Sequence, residues 1–402
     1  AGLNSTPGVS SIEGIPTNVP FGQYGGDNDA DNSGVITYVS IRHGGTEIGA
    51  GNEINGFTLG GVGSGTTINN VEVIANMDDG IEFFGGTVSI QNAMVAGVGD
   101  DSYDYDEGWR GQLNSNWVAV ASSDDGDRGG EHDGGTDPET AQPYATPTIT
   151  YATFVGRGVD AGKRALTFRD NAGGNYSNSV FFNYARGVDV EDLSEGEDSY
   201  SRLLSGDLTF TNNVVDCGSN TFVTSQGEDL SEYFNANGNS TSSDHGLTWS
   251  PSAVSLAGRA DWASWTLAMT SGWVSPGEAV QGDVVVSSNV TGTAYWTANN
   301  TYHLDGGVFV EPGATLHIEA GTVVKGMPGQ GEESSYLCVA KGAQIFAEGT
   351  ADAPIIFTFE ADPLDGSTPL TTRGQWGGLI VLGEAGLNST PGVSSIEGIP
   401  TN

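Results

Sequence analysis

The sequence predicts an all-β chain wound as a right-handed parallel β-helix, with loop insertions and a tryptophan-rich capping segment. Three observations predict it. The chain of 402 residues carries 62 glycines and only 13 lysines and arginines among abundant Val, Thr, Ser and Asn, and glycine and β-branched residues disfavour helical bundles. Short segments of one shape recur, with an apolar first residue, a polar middle and an apolar end. The closest of these segments start 22 and 23 residues apart, about one turn of a β-solenoid, with inserted loops accounting for the longer steps.

In chain order the segments are Ile36-Thr-Tyr-Val-Ser-Ile, Ile68-Asn-Asn-Val-Glu-Val, Ile90-Gln-Asn-Ala-Met-Val, Leu113-Asn-Ser-Asn-Trp-Val, Ile149-Thr-Tyr-Ala-Thr-Phe, Tyr176-Ser-Asn-Ser-Val-Phe and Phe210-Thr-Asn-Asn-Val-Val. A second short strand often follows, and its alternation puts Ile81 with Phe83, Leu166 with Phe168 and Val188 with Val190 on one face, the expected interior. Stacked coils pair parallel strands without crossover helices and let asparagines at equivalent positions ladder their amides, as Asn70, Asn92 and Asn212 would. A β-sandwich or propeller is the alternative; uneven spacing and missing hairpin dipeptides count against it.

Residues 247–276 read as a cap, with Trp249, Trp262, Trp265, Trp273 and a short helix around Ser255 to Met269. The domain reading is therefore main coils with their terminating segment over 1–276, a linker over 277–283, and a new run of coils over 284–384. Residues 385–402 copy residues 1–18, all eighteen positions being identical at a period of 384. A tandem array of near-identical units, circular permutation and local duplication each produce such a copy. The array is the preferred reading, which makes Ala1, Asn18, Ala385 and Asn402 the marks of a polymer seam.

The formal charge of −38 repels nucleic acid and anionic membranes, and fits a salty or calcium-bearing medium. No stretch is long and apolar enough to span a membrane. Cys217 and Cys338 are the only cysteines; two buried thiols or one bridge are both open.

Two acidic stretches carry candidate chemistry. Asp27-Asn-Asp-Ala-Asp-Asn-Ser-Gly34 sets Asp27, Asp29 and Asp31 at alternate positions before a glycine, the opening rhythm of a calcium loop, but Tyr38 stands where the closing glutamate belongs. Gly99-Asp-Asp-Ser-Tyr-Asp-Tyr-Asp-Glu-Gly108 offers Asp100, Asp101 and Asp104 as further calcium ligands, with Asp124, Asp125, Asp127, Glu131 and Asp133 in the next loop. Solvated surface acids are the alternative. Tyr103, Tyr105 and Trp109 beside them are expected to be exposed sugar contacts. No zinc spacing, nucleophile elbow, phosphate loop or Cys-His pair is present, so no catalytic residue is assigned.

From Tyr295 the chain reads Tyr-Trp-Thr-Ala-Asn-Asn-Thr-Tyr-His-Leu-Asp-Gly-Gly, then Gly313-Ala-Thr-Leu-His-Ile-Glu-Ala-Gly-Thr-Val-Val-Lys-Gly326, Pro354-Ile-Ile-Phe-Thr358 and Arg373-Gly-Gln-Trp-Gly-Gly-Leu-Ile-Val-Leu-Gly383. This resembles the opening of the secreted β-helix proteins of Bacteroidetes and related marine bacteria. The elements that follow in that family match Ile12-Glu-Gly-Ile-Pro16, Tyr24-Gly-Gly26, Asp31-Asn-Ser-Gly34 and Tyr38-Val-Ser-Ile41, and then Asp78-Asp-Gly-Ile-Glu-Phe-Phe-Gly-Gly-Thr87. The order here is thus rotated relative to the family. The resemblance and the repeat together imply a structural, non-enzymatic unit of an extracellular or cell-surface filament, its partners being head-to-tail copies of itself. The alternatives are a polysaccharide-binding or polysaccharide-degrading β-helix, and an adhesin for a surface ligand.

Overall fold

The structure is a computed structural model that describes residues 10–11, 23–46, 54–135, 138–193, 195–277, 282–330, 333–350, 353–369 and 372–382. Ala1, Asn18, Ala385 and Asn402, the residues marking the expected seam, lie outside the described residues. The chain divides into two compact units, Ala1–Glu278 and Ala279–Asn402.

The first unit is a parallel β-helix, as the sequence predicts. Its seven-stranded sheet stacks Phe57–Gly60, Ile81–Phe84, Tyr103–Asp106, Gly130–Asp133, Arg164–Arg169, Arg186–Val190 and Ser219–Thr224, each parallel to the next. A ten-stranded sheet begins with Val35–Arg42, Thr67–Ile74, Ile90–Ala96 and Asn114–Val120 and continues as paired shorter strands to Val214–Asp216. Tyr38, Asn70, Asn92, Asn116, Tyr151, Asn178 and Asn212 occupy one column and all have φ between 53° and 59°. The left-handed conformation bends every coil at the same point, and asparagine tolerates it better than most residues. Along that column Asn92 Nδ2 donates to Asn70 Oδ1 at 3.1 Å, and Asn116 Nδ2 to Asn92 Oδ1 at 2.9 Å. The expected amide ladder is present at Asn70 and Asn92 and runs on to Asn116, while Asn212 shares the column's left-handed bend.

The frame of one segment differs from the sequence reading. Ile90 is followed on the same ladder by Asn114 rather than Leu113, since Gln91 pairs with Ser115 and Ala93 with Trp117. Leu113 points to solvent. The Asn114 side chain sits inside, where its Oδ1 accepts from Ile90 N and its Nδ2 donates to the Gly111 and Thr148 carbonyls. A polar side chain is admitted to an apolar ladder because all its hydrogen bonds are made.

Between the two sheets lies an aromatic stack. Phe83 lies over Trp109 with centroids 3.9 Å apart, Tyr103 over Trp117 at 4.5 Å, and Tyr105 over His132 at 4.1 Å. His132 is fully buried, and burial drives its imidazole pKa down to about 3, so it is a neutral ring in this stack.

The tryptophan-rich segment caps no end of the first unit. It runs along the outer side of the ten-stranded sheet, where Leu247, Val254, Leu256, Ala260 and Ala263 bury Ile74, Met94, Val118, Val155 and Val180 over successive coils. The helical part is a 3-10 turn, Asp261–Trp265, followed by a short α-helix, Leu267–Thr270. Glu72 explains the docking: fully buried, its carboxylate accepts from Leu267 N and Ala268 N at 3.0 and 2.9 Å. These are helix-start amides with no partner inside the helix. The last coil is covered instead by the helix Ser231–Ala236, whose Phe234 packs on Phe222.

The second unit has three small parallel sheets around its own core. A four-stranded sheet holds Gly282–Val286, Asn300–Leu304, Val323–Gly326 and Ile356–Phe359. The others hold Thr293–Trp296, Thr315–Ile318 and Gln344–Ala347, and Gly307–Val310, Tyr336–Val339 and Leu379–Val381. Leu304, Val310, Leu316, Val324 and Leu337 meet at its centre. Both cysteines are free thiols; burial pushes the Cys217 thiol up to about 12, so it stays protonated. No helix among the described residues is long and apolar enough to cross a membrane.

Candidate functional site: a carboxylate ladder

Three consecutive coils of the seven-stranded sheet carry one internal repeat: Asp79-Gly-Ile-Glu-Phe-Phe84, Asp101-Ser-Tyr-Asp-Tyr-Asp106 and Arg128-Gly-Gly-Glu-His-Asp133. Strand alternation sends the third and fifth members of each inward and the fourth and sixth outward. Glu82, Asp104 and Glu131 are in direct register on the outer face, followed by Thr167 and Asp189. Asp133 opposes Arg169 in the next column. Neighbouring strands lie about 4.8 Å apart, so like charges in register are brought within direct repulsion distance.

Two arginines offset part of this charge. Arg128 Nη1 lies 3.2 Å from Asp101, 2.9 Å from Asp127 and 3.1 Å from Glu131. Arg169 makes a two-point pair with Asp133 at 2.7 and 3.0 Å and reaches Glu131 at 3.0 Å. Asp133 holds the Arg169 guanidinium firmly charged. Asp79 and Asp104 have no ion pair among the described residues, although Asp79, Glu82 and Asp104 each offer an oxygen within 4.8 Å of the other two.

Burial first, and the charges of Asp79 and Glu82 second, hold the Asp104 carboxyl well above the usual carboxylate range. Asp79 and Asp101 are raised too, again chiefly by burial. Asp106, two residues from Asp104 on the same face, is pushed up to about 7 by burial. Asp104, its carboxyl buried and without an ion pair among the described residues, relieves its repulsion by keeping a proton or by holding a cation.

The donor set fits a hard cation. Calcium takes carboxylate and amide-carbonyl oxygens. Asp104 Oδ1 and Asn55 Oδ1 are both shut off from solvent without a hydrogen-bond partner, and Asn55 is held at the site by its Nδ2, which donates to Glu82.

The residues expected from sequence are distributed as follows. Asp104 belongs to the group with Asp79 and Glu82. Asp100 and Asp101 converge with Asp127, whose charge Arg128 and Lys163 already meet. Asp27, Asp29 and Asp31 are not among the convergent carboxylates of the described residues. Asp29 pairs with Arg110 at 2.6 Å, and Asp31 accepts from Ser33 Oγ at 3.1 Å. Their loop is docked on the turn at Ser64, whose N and Oγ both donate to the Asp29 carbonyl.

Tyr103, Tyr105 and Trp109 are not exposed sugar contacts. All three are fully buried, and their polar tips are satisfied inside: Tyr105 Oη donates to Gly173 O at 2.6 Å, Trp109 Nε1 to Val88 O at 3.0 Å, and Tyr103 Oη lies 2.9 Å from Ala93 O. The alternation that turns Asp104 and Asp106 outward turns the tyrosines in. Asp79, Glu82, Asp106, Arg128 and Arg169 were not singled out from sequence. The 22-residue step from Asp79 to Asp101 and from Glu82 to Asp104 is the signal that finds the first two.

Parallel sheets stacked coil on coil define the class, a parallel β-helix. The chain belongs to the pectate-lyase-like β-helix domain family, whose model matches residues 9–267 and again 288–400. No curated protein and no solved structure matches the chain.

Proposed function

We propose that this protein is an extracellular β-helix that binds an acidic, uronate-bearing polysaccharide through calcium on the outer face of the seven-stranded sheet. The observation that carries the reading is the group formed by Asp79, Glu82 and Asp104, with unpartnered oxygens on Asp104 and Asn55. Calcium held there would neutralise the carboxylates and attract the carboxylate of a sugar. Without it, a chain of charge −38 repels such a polymer. Arg128 and Arg169 fix the neighbouring acids in place. Asp106, poised near neutrality, is the group able to exchange a proton with a bound sugar.

Calorimetric titration with calcium chloride, then with polygalacturonate or alginate in its presence, tests the reading. Calcium binding that Asp104→Asn abolishes, and polymer binding that chelation abolishes, are expected; polymer binding untouched by both would sink it. Release of new chain ends, lost in Asp106→Asn, would extend binding to cleavage.

One observation favours a second reading, a structural unit stacked head to tail in a surface fibre. Eighteen residues are repeated intact at a 384-residue period, and one family model matches two stretches. Electron microscopy of native material should then show fibres of constant axial repeat.

A further inference from the structure

The left-handed column at Asn70 divides the outside of the ten-stranded sheet into two faces of opposite character. Beyond the bend the outward residues are apolar, Met94, Val118 and Val180 among them, and the 247–276 segment buries them. Before the bend the outward column runs Asn69, Gln91, Ser115, Thr150, Ser177 and Thr211, in direct register from coil to coil. Every member is a hydroxyl or an amide. None is charged, in a chain that carries 51 acidic residues and stacks several of them on its seven-stranded sheet. Acidic side chains would serve solubility better on an open face, so the absence of charge calls for another reason.

This neutral face is concave where the Thr67, Gln91 and Leu113 coils meet. A groove of about 590 Å³ lies there, within the range of roughly 300–1,000 Å³ typical of small-molecule sites. One wall is pinned: Arg110 pairs with Asp29 at 2.6 Å, and Ser64 and Thr87 both donate to the Asp29 carbonyl. Gln112 is pinned as well, its Nε2 donating to the Thr146 carbonyl at 2.9 Å and its Oε1 accepting from Thr148 at 3.1 Å. The floor keeps its hydrogen-bonding capacity. Thr67, Asn69 and Gln91 line the groove, and their side chains make no hydrogen bond among the described residues. Beside them Leu113, 70% exposed, presents an apolar surface to the groove.

The lining selects the ligand. Arg110 is the one charged residue among the described lining, and Asp29 already meets it, so an anion finds no free positive charge. No acidic residue is there to hold a cation. A side-chain amide and a hydroxyl offer both donors and acceptors, which is what the hydroxyls of a sugar need, and Leu113 suits the C–H face of its ring. We infer that the groove binds a short stretch of an uncharged polysaccharide, with Asn69 and Gln91 hydrogen-bonding its hydroxyls. The site lies on a different sheet from the carboxylate ladder and needs no calcium, so it stands independently of the calcium reading above.

Calorimetric titration of the 402-residue chain with cellohexaose, xylohexaose, mannohexaose and laminarihexaose in turn, all in chelator, tests this. The chelator keeps calcium off the carboxylate ladder. At least one of the four sugars should bind. Asn69→Ala and Gln91→Ala should each weaken that binding about tenfold, the loss expected when the hydrogen bonds of one amide are removed. Both side chains stand on the surface, so the melting temperature should stay where it is. Thr211→Ala, on the same column but outside the groove, should bind as the unaltered chain does. Failure of all four sugars to bind overturns the inference. So does binding that survives both amide substitutions, or that Thr211→Ala weakens equally. None of these results bears on calcium at Asp104.

Discussion

The outer columns of the two units follow opposite charge rules on the same scaffold. In the second unit the column runs Val285, His303, Lys325 and Thr358. His303 lies between acids, Nδ1 2.7 Å from Glu360 and Nε2 3.2 Å from Asp283, while Lys325 Nζ donates to the Glu360 and Asp362 carbonyls. In the first unit the column runs Glu82, Asp104, Glu131, and Asp104 has no ion pair among the described residues. Strand spacing is the same in both, so repulsion is not a by-product of the fold. A column that needs only to be stable alternates charge with neutral or opposite partners. The acidic column gives up stability, and a bound cation would return it.

The strongest test removes the compensation that does exist. Arg128→Ala leaves Asp101, 1% exposed, without its ion pair. Stripping one partner from a buried pair costs about 3 kcal/mol, so denaturant unfolding should show the first unit weakened by about that much at neutral pH.

Next in size is the dependence on pH and calcium. The carboxyls of Asp79, Asp101, Asp104 and Asp106 are raised in the folded chain, so the native state binds more protons than the unfolded one. Stability then falls as pH rises from the ordinary aspartate value, for Asp106 until about 7. Calcium at a hundred times its dissociation constant should return about 2.7 kcal/mol, and more at pH 8 than at pH 5 because it displaces protons. Melting curves at the two pH values, with calcium and with a chelator, decide this. An apo protein most stable at alkaline pH would contradict the acidic-column account.

Much of this arrangement is legible in the sequence, and its gaps have physical causes. The coil repeat and the Asn70–Asn92 ladder are readable because a left-handed bend recurs in every coil and selects asparagine. Leu113 misleads because an apolar residue beside a turn resembles a ladder member, while the true member, Asn114, is polar and paid for by hydrogen bonds. Tyr103 and Tyr105 mislead because acids on both sides suggest exposure, although period-two alternation separates the two sets. The tryptophans of 247–276 signal a buried segment without saying which surface buries them; Glu72, a charged residue inside an apolar run, marks that surface only once its helix-start partners are seen. The group of Asp79, Glu82 and Asp104 needs register, and register becomes visible when the two acidic motifs are aligned at the coil period.

Asp104→Asn sharpens the contrast at smaller scale. Replacing one member of a like-charged group with a neutral isostere should stabilise the chelated protein at neutral pH by about 1 kcal/mol, and should cancel the calcium-dependent gain. Destabilisation in chelator would mean that Asp104 is needed for structure rather than for a cation.

The smallest effect belongs to the second unit. Burial pulls His303 down, but its hydrogen bonds to Glu360 and Asp283 outweigh it and raise the imidazole above the ordinary histidine value. A raised folded value means the contribution is fully present below the unfolded pKa of about 6.5 and is lost as pH rises through the folded one. Asp283 is largely exposed, and its side of the pair is screened by solvent. His303→Gln should therefore cost about 0.5 kcal/mol at pH 5.5 and almost nothing at pH 9. The trend with pH then has the same sign in both units for opposite reasons: the second loses an attraction as histidine deprotonates, the first gains a repulsion as its acids ionise. Calcium separates them, because it should abolish the slope in the first unit and leave that of His303 in place.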